Sequence, residues 1–264
     1  MDRNEAVLRE LNLYPQWVRR DVPEQTSAAT TVGAIHESPE QAGATNNVGA
    51  IHESPAQTGA MDNVGAIHES PAQTGYHELP LPWPELKQRV RDCTACKLRA
   101  GCTQTVFGVG DEQAEWLFVG EGPGADEDAQ GEPFVGQAGK LLDNMLLAIN
   151  LRRGKNVYIA NIVKCRPPNN RAPAADEIAT CLPYLQRQIE LIKPKLIVAL
   201  GKTAATALLG RDATLASLRG TLHDYRGVPL LVTYHPAYLL RSPMEKAKAW
   251  QDLCFAVRAR HGEA

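Results

Sequence analysis

Four short apolar runs, separated by stretches with helical periodicity, constrain the fold of this chain more than any other feature. The runs are Trp116 to Gly120, Val157 to Val163, Leu196 to Leu200 and Leu230 to Tyr234. The helical stretches are Ala138 to Ile149, Asp176 to Ile192, Lys202 to Leu209 and Glu245 to Val257. Continuous apolar runs are typical of strands buried on both faces, and the alternation predicts a parallel α/β sheet covered by helices. Ligands of such sheets bind at the carboxyl ends of the strands.

The N-terminal third differs in composition from the rest of the chain. Three near-copies of Val-Gly-Ala-Ile-His-Glu-Ser-Pro begin at Val32, Val48 and Val64, a repeat of 16 residues. The repeats are too short and too poor in bulky apolar residues to build a core, so they favour a disordered spacer. We therefore predict an N-terminal helical segment over residues 1–29, a repeat-containing spacer over 30–79 and a folded domain over 80–264.

Charge is distributed unevenly along the chain. The overall net charge is -2, yet residues 1–85 carry 4 Lys and Arg against 12 Asp and Glu, and residues 86–264 carry 24 against 18. The basic C-terminal part is compatible with a polyanionic partner. Neither an apolar run of about 18 residues nor a secretory leader pattern is visible. We therefore expect no membrane association and a cytoplasmic location.

Cysteines form two spaced pairs, a Cys-x2-Cys and a Cys-x15-Cys. Their members are Cys93, Cys96, Cys165 and Cys181. Four thiolates from distant segments suit an iron-sulfur cluster or a zinc ion, and the spacing alone does not choose between them. Unrelated buried cysteines are the other interpretation. Cys102 is close enough in sequence to compete as a ligand, whereas Cys254 lies in an apolar helical pattern typical of a core.

A Gly-rich turn, Gly120-Glu-Gly-Pro-Gly124, follows the first predicted strand directly. Its glycines let the backbone approach a ligand closely, but the Lys-Ser/Thr of a nucleotide phosphate loop does not follow. Glu121, Asp126, Glu127 and Asp128 place several carboxylates beside the turn. They suit the orientation of a water molecule or the stabilisation of positive charge on a sugar. For Asp126 and Asp128 the alternative is an acidic helix N-terminus.

Phe134 and Asn161 are candidate contacts to a nucleobase. Phe134 lies in a loop between glycines, where it serves either as a stacking platform or as a plug of the core. Asn161 interrupts an apolar strand, and its buried amide requires a partner. A carboxamide matches the O4 acceptor and the N3–H donor of uracil, and it matches cytosine only after the amide turns over. Bonding to the neighbouring backbone is the alternative for Asn161.

His235 closes the fourth predicted strand and is followed by Pro236. An imidazole at the carboxyl end of a strand is placed to donate a hydrogen bond to an oxyanion. The next residues, Tyr238 to Arg241, supply apolar wedges and a cation that suit a vacated base position and a phosphate.

These motifs together resemble those of family 4 uracil-DNA glycosylases. The matching segments are the Gly-rich turn, Gly131 to Gly139, Asn161 with Cys165 four positions later, and His235-Pro-Ala, and the match runs from about Leu86 to Val257. The resemblance implies a three-layer α/β/α sandwich with a four-stranded parallel sheet in the domain at 80–264. It also implies that the two cysteine pairs hold a 4Fe-4S cluster, a pattern in which Cys102 has no place.

The resemblance further implies a uracil pocket with defined roles for its residues. The pocket consists of Glu121, Gly122, Pro123, Phe134, Asn161 and His235. In it Phe134 stacks on the base, Asn161 reads its edge and His235 stabilises the departing uracil anion. Glu121, ahead of Glu127, is the candidate to assist the attacking water.

The activity that the resemblance implies is cleavage of the N-glycosidic bond of uracil in DNA. The expected product is an abasic site, which initiates base excision repair, and the expected form is a monomer on uracil-containing DNA. Relatives that trap the DNA covalently carry a reactive His in an inserted loop, whereas Cys165 to Pro173 is short and contains no His, which favours turnover. A module that binds DNA without cleaving it and a cluster-bearing redox protein are the alternatives.

Overall fold

The structure of the protein is a computed structural model, and it describes residues 80–262. The predicted helical segment at 1–29 and the predicted spacer at 30–79 lie outside the described residues. The domain boundaries therefore stay predictions.

The described residues form six strands, β1 Val109–Gly110, β2 Trp116–Gly120, β3 Val157–Asn161, β4 Leu196–Leu200, β5 Leu222–Tyr225 and β6 Val228–Thr233. They make one mixed sheet in the order β1-β3-β2-β4-β6-β5. Adjacent strands pair in parallel from β3 to β6, and β1 and β5 pair antiparallel at the two edges. The register aligns Gly120 with Asn161 and Leu200 with Thr233, so the carboxyl ends of the central strands lie at one edge.

The four apolar runs are the four adjacent parallel strands, but the prediction of a four-stranded sheet was incomplete. The two missed strands are β1, an edge strand of two residues, and β5, a short edge strand with mostly exposed side chains. Neither has the continuous apolar pattern that marks a central strand. β5 joins β6 through Arg226 and Gly227, whose φ angles of 52° and 84° define a tight hairpin turn that the sequence analysis did not recognise.

Helices cover both faces of the sheet. The four predicted helices are confirmed with shifts of at most four residues at their ends, and the short helices at Leu98–Gly101, Leu215–Leu218 and Pro236–Arg241 were not predicted. The helices are α1 Trp83–Arg91, α2 Leu98–Gly101, α3 Ala125–Gln130, α4 Gln137–Ala148, α5 Ala175–Ile192, α6 Lys202–Leu209, α7 Leu215–Leu218, α8 Pro236–Arg241 and α9 Lys246–His261, with 3₁₀ turns at Pro168–Asn170 and Pro243–Glu245. None of those within residues 80–262 is long and apolar enough to cross a bilayer.

Two hydrophobic cores lie on opposite faces of the sheet because side chains alternate along each strand. In β2, Leu117 and Val119 pack with α5 and α6, whereas Trp116 and Phe118 pack with α4 and α9. Each fully buried large apolar side chain contributes about 1.5–3 kcal/mol. The sheet is thereby a rigid platform, and the segments that follow its central strands have fixed positions.

Candidate active site

A cavity of about 460 Å³ opens at the carboxyl edge of the sheet. Segments that follow β2, β3, β4 and β6 form its walls. All six predicted pocket residues line it, namely Glu121, Gly122, Pro123, Phe134, Asn161 and His235. The sheet therefore brings together residues that lie up to 114 positions apart in the sequence.

The Gly-rich turn is shaped by the close approach of its neighbours. A Cβ atom on Gly120 would lie 2.5 Å from both Asn161 Oδ1 and Phe134 Cζ. A Cβ atom on Gly122 would lie 2.8 Å from Val163 Cγ2. Glycine is therefore required for the amide and the phenyl ring to reach the turn at the floor of the cavity.

Phe134 is fixed by contacts to its backbone. Its φ of 55° is unusual for a bulky residue, and such a conformation persists only where the surroundings enforce it. Arg153 Nη2 donates to the Phe134 carbonyl at 2.7 Å and Nη1 donates to the Pro133 carbonyl at 2.8 Å. A Cβ on Gly139 would lie 1.8 Å from the Phe134 oxygen. The ring is buried, with its centroid 5.5 Å from that of His235.

Replacement of Arg153 tests this support of Phe134. We expect Arg153→Met to lower about tenfold the affinity of the cavity for a planar ligand that stacks on Phe134. The Pro133 and Phe134 carbonyls then lose charge-assisted hydrogen bonds of about 1.5–3 kcal/mol each, so the ring is no longer held in place. Arg152→Met is the matched control, since Arg152 is exposed and adjacent. Equal ligand affinity of the two variants, measured by titration, would show that Phe134 does not need this support.

Asn161 lines the cavity and carries a buried polar atom without a hydrogen-bond partner. The residue is 2 % exposed, and its Oδ1 has no hydrogen-bond partner among the described residues. An unpaired buried acceptor costs about 1–3 kcal/mol. The interpretation that this oxygen bonds neighbouring backbone is therefore wrong, and a ligand that brings an N–H donor would satisfy it.

The protonation state of His235 follows from its surroundings. Burial, together with the positive charge of Arg241, lowers the pKa of His235 from 6.5 to about 4, with a smaller opposing effect of Glu127. The imidazole is therefore neutral at pH 7. Its Nδ1 accepts the Ala237 N–H at 3.1 Å. The proton of the neutral ring then resides on Nε2, which leaves one N–H donor on a residue that lines the cavity.

Two glutamates beside the turn differ in how their oxygens are used. Glu127 accepts the N–H of Gly124 at 3.0 Å, of Val135 at 2.9 Å and of Gly136 at 3.1 Å, and thus joins two loops. Glu121 Oε2 accepts the hydroxyl of Thr203 at 2.5 Å. Within residues 80–262 this is the only hydrogen bond of the Glu121 side chain, so Oε1 has no protein partner there, and the residue lines the cavity.

Asp126 and Asp128 lie in the first turn of α3, as the alternative interpretation of these residues predicted. Asp128 is buried and accepts the N–H groups of Thr103 at 2.9 Å and Gln104 at 3.3 Å. Asp126 is exposed. Neither lines the cavity. Asp128 anchors the preceding loop, and both carboxylates interact favourably with the positive end of the helix dipole.

The mouth of the cavity carries exposed apolar groups on α8. Tyr238 is 39 % exposed and Leu240 44 % exposed. Leu239 points into the core at 1 % exposure, so the prediction that it serves as a wedge was wrong. Arg241 lines the cavity and forms no ion pair among the described residues.

Sequence analysis missed several residues of the cavity. Lys202 and Thr203 follow β4, and Arg171 follows the 3₁₀ turn. Arg171 donates two hydrogen bonds, of 2.8 and 2.6 Å, to the buried carboxylate of Glu177, which fixes the guanidinium at the rim. The available signal was Gly201, which directly follows the central strand β4 at the same edge as the predicted residues.

The four predicted metal-ligating cysteines line a second cavity together. Cys93 and Cys96 come from the α1–α2 segment, Cys165 follows β3 and Cys181 lies on α5. Cys102 does not line it, although its thiol contacts that of Cys165.

Burial changes the protonation of two of these thiols. Burial raises the pKa of Cys181 to about 11 and also raises that of Cys165, so without a metal both thiols are neutral. The Lys164 N–H donates to Cys181 Sγ at 3.2 Å. No three His, Cys, Asp or Glu side chains within residues 80–262 are grouped for a single metal ion.

Comparison with known proteins identifies the superfamily to which the chain belongs. The sequence model of the Uracil DNA glycosylase superfamily matches residues 107–254, more than half of the chain, and the chain belongs to that superfamily. It is 46 % identical over 159 residues to the type-4 uracil-DNA glycosylase of Thermotoga maritima, which covers 60 % of this chain and 82 % of the relative. For the type-4 uracil-DNA glycosylase of Archaeoglobus fulgidus the identity is 44 % over 176 residues, 64 % of this chain and 88 % of the relative.

A type-5 relative is less similar. The type-5 uracil-DNA glycosylase of Pyrobaculum aerophilum is 33 % identical over 148 residues, 49 % of this chain and 64 % of the relative. The resemblance to family 4 that the motifs indicated is confirmed by the type-4 relatives.

Proposed function

We propose that this chain is a type-4 uracil-DNA glycosylase that flips uracil out of DNA and hydrolyses its N-glycosidic bond. The product is an abasic site, which initiates base excision repair. The names of the relatives support this activity. The single observation that carries the proposal is the unpaired, buried Oδ1 of Asn161 in a cavity that also contains Phe134 and a neutral His235.

Base recognition depends on Phe134 and Asn161. The ring of Phe134 stacks on the flipped base, because its backbone is held by Arg153 and Gly139. Asn161 Oδ1 accepts the N3–H of uracil, and its amide group donates to O4. Cytosine presents an acceptor at N3 and a donor at C4, so it meets the amide with the wrong groups.

His235 acts on the leaving group. As the bond between C1′ and N1 breaks, its electron pair passes to the uracil ring, and negative charge collects on N1 and O2. The Nε2–H of neutral His235 donates to O2 of the departing anion. The donor is fixed before the reaction, since the backbone N–H of Ala237 determines the tautomer.

Glu121 acts on the sugar side. Its Oε1 has no protein partner among the described residues, and it orients the water that adds to C1′ and takes up the proton of that water. The carboxylate also stabilises the positive charge of the oxocarbenium-like sugar. Thr203 holds Oε2, whereas three backbone N–H groups use the oxygens of Glu127, which is why we assign the role to Glu121.

Cations and apolar groups at the mouth suit a nucleotide that is still attached to its strand. Arg171, Lys202 and Arg241 line the cavity and bind phosphates, and exposed Tyr238 and Leu240 fill the vacated position in the stack. We propose that the chain acts on uracil-containing DNA as a monomer.

Cys93, Cys96, Cys165 and Cys181 would hold the 4Fe-4S cluster in the second cavity. When bound, the cluster supplies a cross-link between the α1–α2 segment, the loop after β3 and α5, and supplies no electron to base removal.

Incubation of the purified chain with uracil-containing oligonucleotides, single- and double-stranded, tests the activity. Alkali treatment then cleaves the strand wherever a base has been removed. We expect cleavage at uracil and none at cytosine or thymine. Retention of the oligonucleotide without cleavage would identify a DNA-binding module instead of an enzyme.

Metal analysis of the same sample tests the cluster. We expect about four iron atoms per chain and a coloured protein whose visible absorption disappears when the iron is removed. Cys181→Ala should lose the iron and lower the melting temperature, because metal binding contributes to folding. Cys254→Ala is the matched control, since Cys254 lies outside the second cavity. Stoichiometric zinc in place of iron would contradict the assignment.

A further inference from the structure

Lys164 is a buried cation without a carboxylate partner. The residue is 1 % exposed, and within residues 80–262 no Asp or Glu pairs with it. Its Nζ donates to the backbone carbonyl of Asn161 at 3.1 Å and to Gln188 Oε1 at 2.6 Å. The ammonium also lies 6.0 Å from the centroid of the Phe107 ring. Two oxygens and one aromatic face thus surround its three N–H donors.

Such an arrangement is costly for packing alone. An ammonium is strongly hydrated, and neutral oxygens replace that hydration only in part. A methionine would fill a similar volume without the cost. The buried charge therefore indicates a role in the position of the groups that it contacts.

The carbonyl that Lys164 contacts lies where the sheet ends. β1 pairs with β3 only through Tyr158 and Ile159, so Asn161 extends past the end of that edge strand. On this side of β3 the ammonium takes the place of the next ladder donor. Asn161 therefore keeps an extended backbone at the position from which its side chain enters the pocket.

The partner of the ammonium is itself oriented. Gln188 Nε2 donates to the Phe107 carbonyl at 3.0 Å and to the Tyr158 hydroxyl at 3.4 Å. These two bonds fix the amide so that its Oε1 faces Lys164. The side chain of Lys164 is thereby held from α5 as well as from β3.

The backbone of Lys164 is anchored at the second cavity. Its N–H donates to Cys181 Sγ at 3.2 Å, and its carbonyl accepts the Val106 N–H at 2.7 Å. Its neighbour Cys165 lines the same cavity. Lys164 thus contacts both sites: its main chain contacts the cysteine cavity, and its side chain contacts the pocket residue Asn161.

We propose that Lys164 is a positioning residue for Asn161. Its ammonium holds the Asn161 backbone so that the Asn161 side chain meets the base, and its main chain connects this support to the cysteine cavity. The inference rests on the proposed function, since it concerns the same pocket. A displacement of about 1 Å in a group that orients a substrate can cost about a hundredfold in rate.

Lys164→Met tests the inference because it keeps the length of the side chain and removes its N–H donors. We expect unchanged iron content and absorption, at least tenfold weaker binding of free uracil by calorimetry, and at least a tenfold fall in kcat/KM on a uracil oligonucleotide. The preference for uracil over cytosine should fall as well. Lys155→Met, at an exposed lysine just before β3, is the matched control and should equal the wild type.

The outcomes separate the alternatives. Unchanged uracil binding in Lys164→Met would overturn the inference, and so would loss of iron in proportion to activity, which would make Lys164 a support of the cluster alone. Should Lys164→Met fail to fold, Gln188→Met decides, because it removes one partner of the ammonium and should weaken uracil binding in the same direction. Normal binding in Gln188→Met would then overturn the inference. A wild-type chain that binds uracil without excising it would contradict the proposed function and leave this binding test intact.

Discussion

Asn161→Asp should lower kcat/KM for uracil excision by about a hundredfold or more. The carboxylate cannot donate to O4 and instead brings a negative charge against that oxygen. A mismatched buried hydrogen bond to a charged group costs about 3 kcal/mol, which corresponds to roughly two orders of magnitude in rate. The charge also opposes the negative charge that develops on the uracil ring.

The substitution should change selectivity as well as rate. A carboxylate accepts from the amino group of cytosine, so the ratio of uracil to cytosine excision should fall. Asn150→Asp is the matched control, because Asn150 is exposed and its φ of 60° is one that Asp also tolerates. Oligonucleotide assays with either base measure both effects. Unchanged selectivity in Asn161→Asp would remove the amide from base recognition.

Much of the pocket could be predicted from the sequence because the strands are unambiguous. Continuous apolar runs fixed the central strands, and parallel strands place their carboxyl ends at one edge. Glu121, Asn161 and His235 each lie at or just after such an end. Their convergence therefore follows from the topology, even though the edge strands were missed.

Residues that act through tertiary contacts could not be predicted. Thr203 is 82 positions from Glu121, and the Lys164 side chain meets Gln188 24 positions away. No local pattern marks these pairs, since each member alone suits an ordinary helix or loop. Arg153 likewise reads as a surface residue after α4, although it holds the backbone of Phe134.

The division of labour between the two glutamates shows the same limit. Glu121 lies within the Gly-rich turn and Glu127 three residues after it, and the sequence offers no reason why one carboxylate accepts three N–H groups and the other a single hydroxyl. The difference arises from the loop at Val135 and Gly136, which folds back onto Glu127. Chain reversal of this kind depends on Gly139 and Arg153, which lie outside the turn motif.

His235→Asn should lower kcat by about a hundred- to a thousandfold with little change in KM. The Nε2–H acts on charge that exists only as the bond breaks, and loss of one such donor typically costs about 2.7–4 kcal/mol. Asparagine is a good N-cap, so it should keep the cap on α8 that His235 now supplies through Nδ1. His223→Asn, at a histidine of β5 that does not line the pocket, should leave kcat unchanged.

The pH dependence gives a second test of His235. Burial and the charge of Arg241 hold the pKa of His235 at about 4, below the unfolded value of 6.5. Between pH 4 and pH 6.5 the folded protein therefore binds fewer protons than the unfolded chain. Its stabilising contribution is complete above pH 6.5 and is lost as the pH falls towards 4. The melting temperature of His235→Asn should therefore fall less between pH 7 and pH 4 than that of the wild type. A wild-type kcat that titrates with a histidine pKa near 6.5 would contradict a neutral donor, because the imidazole would then change charge in the range where the enzyme works.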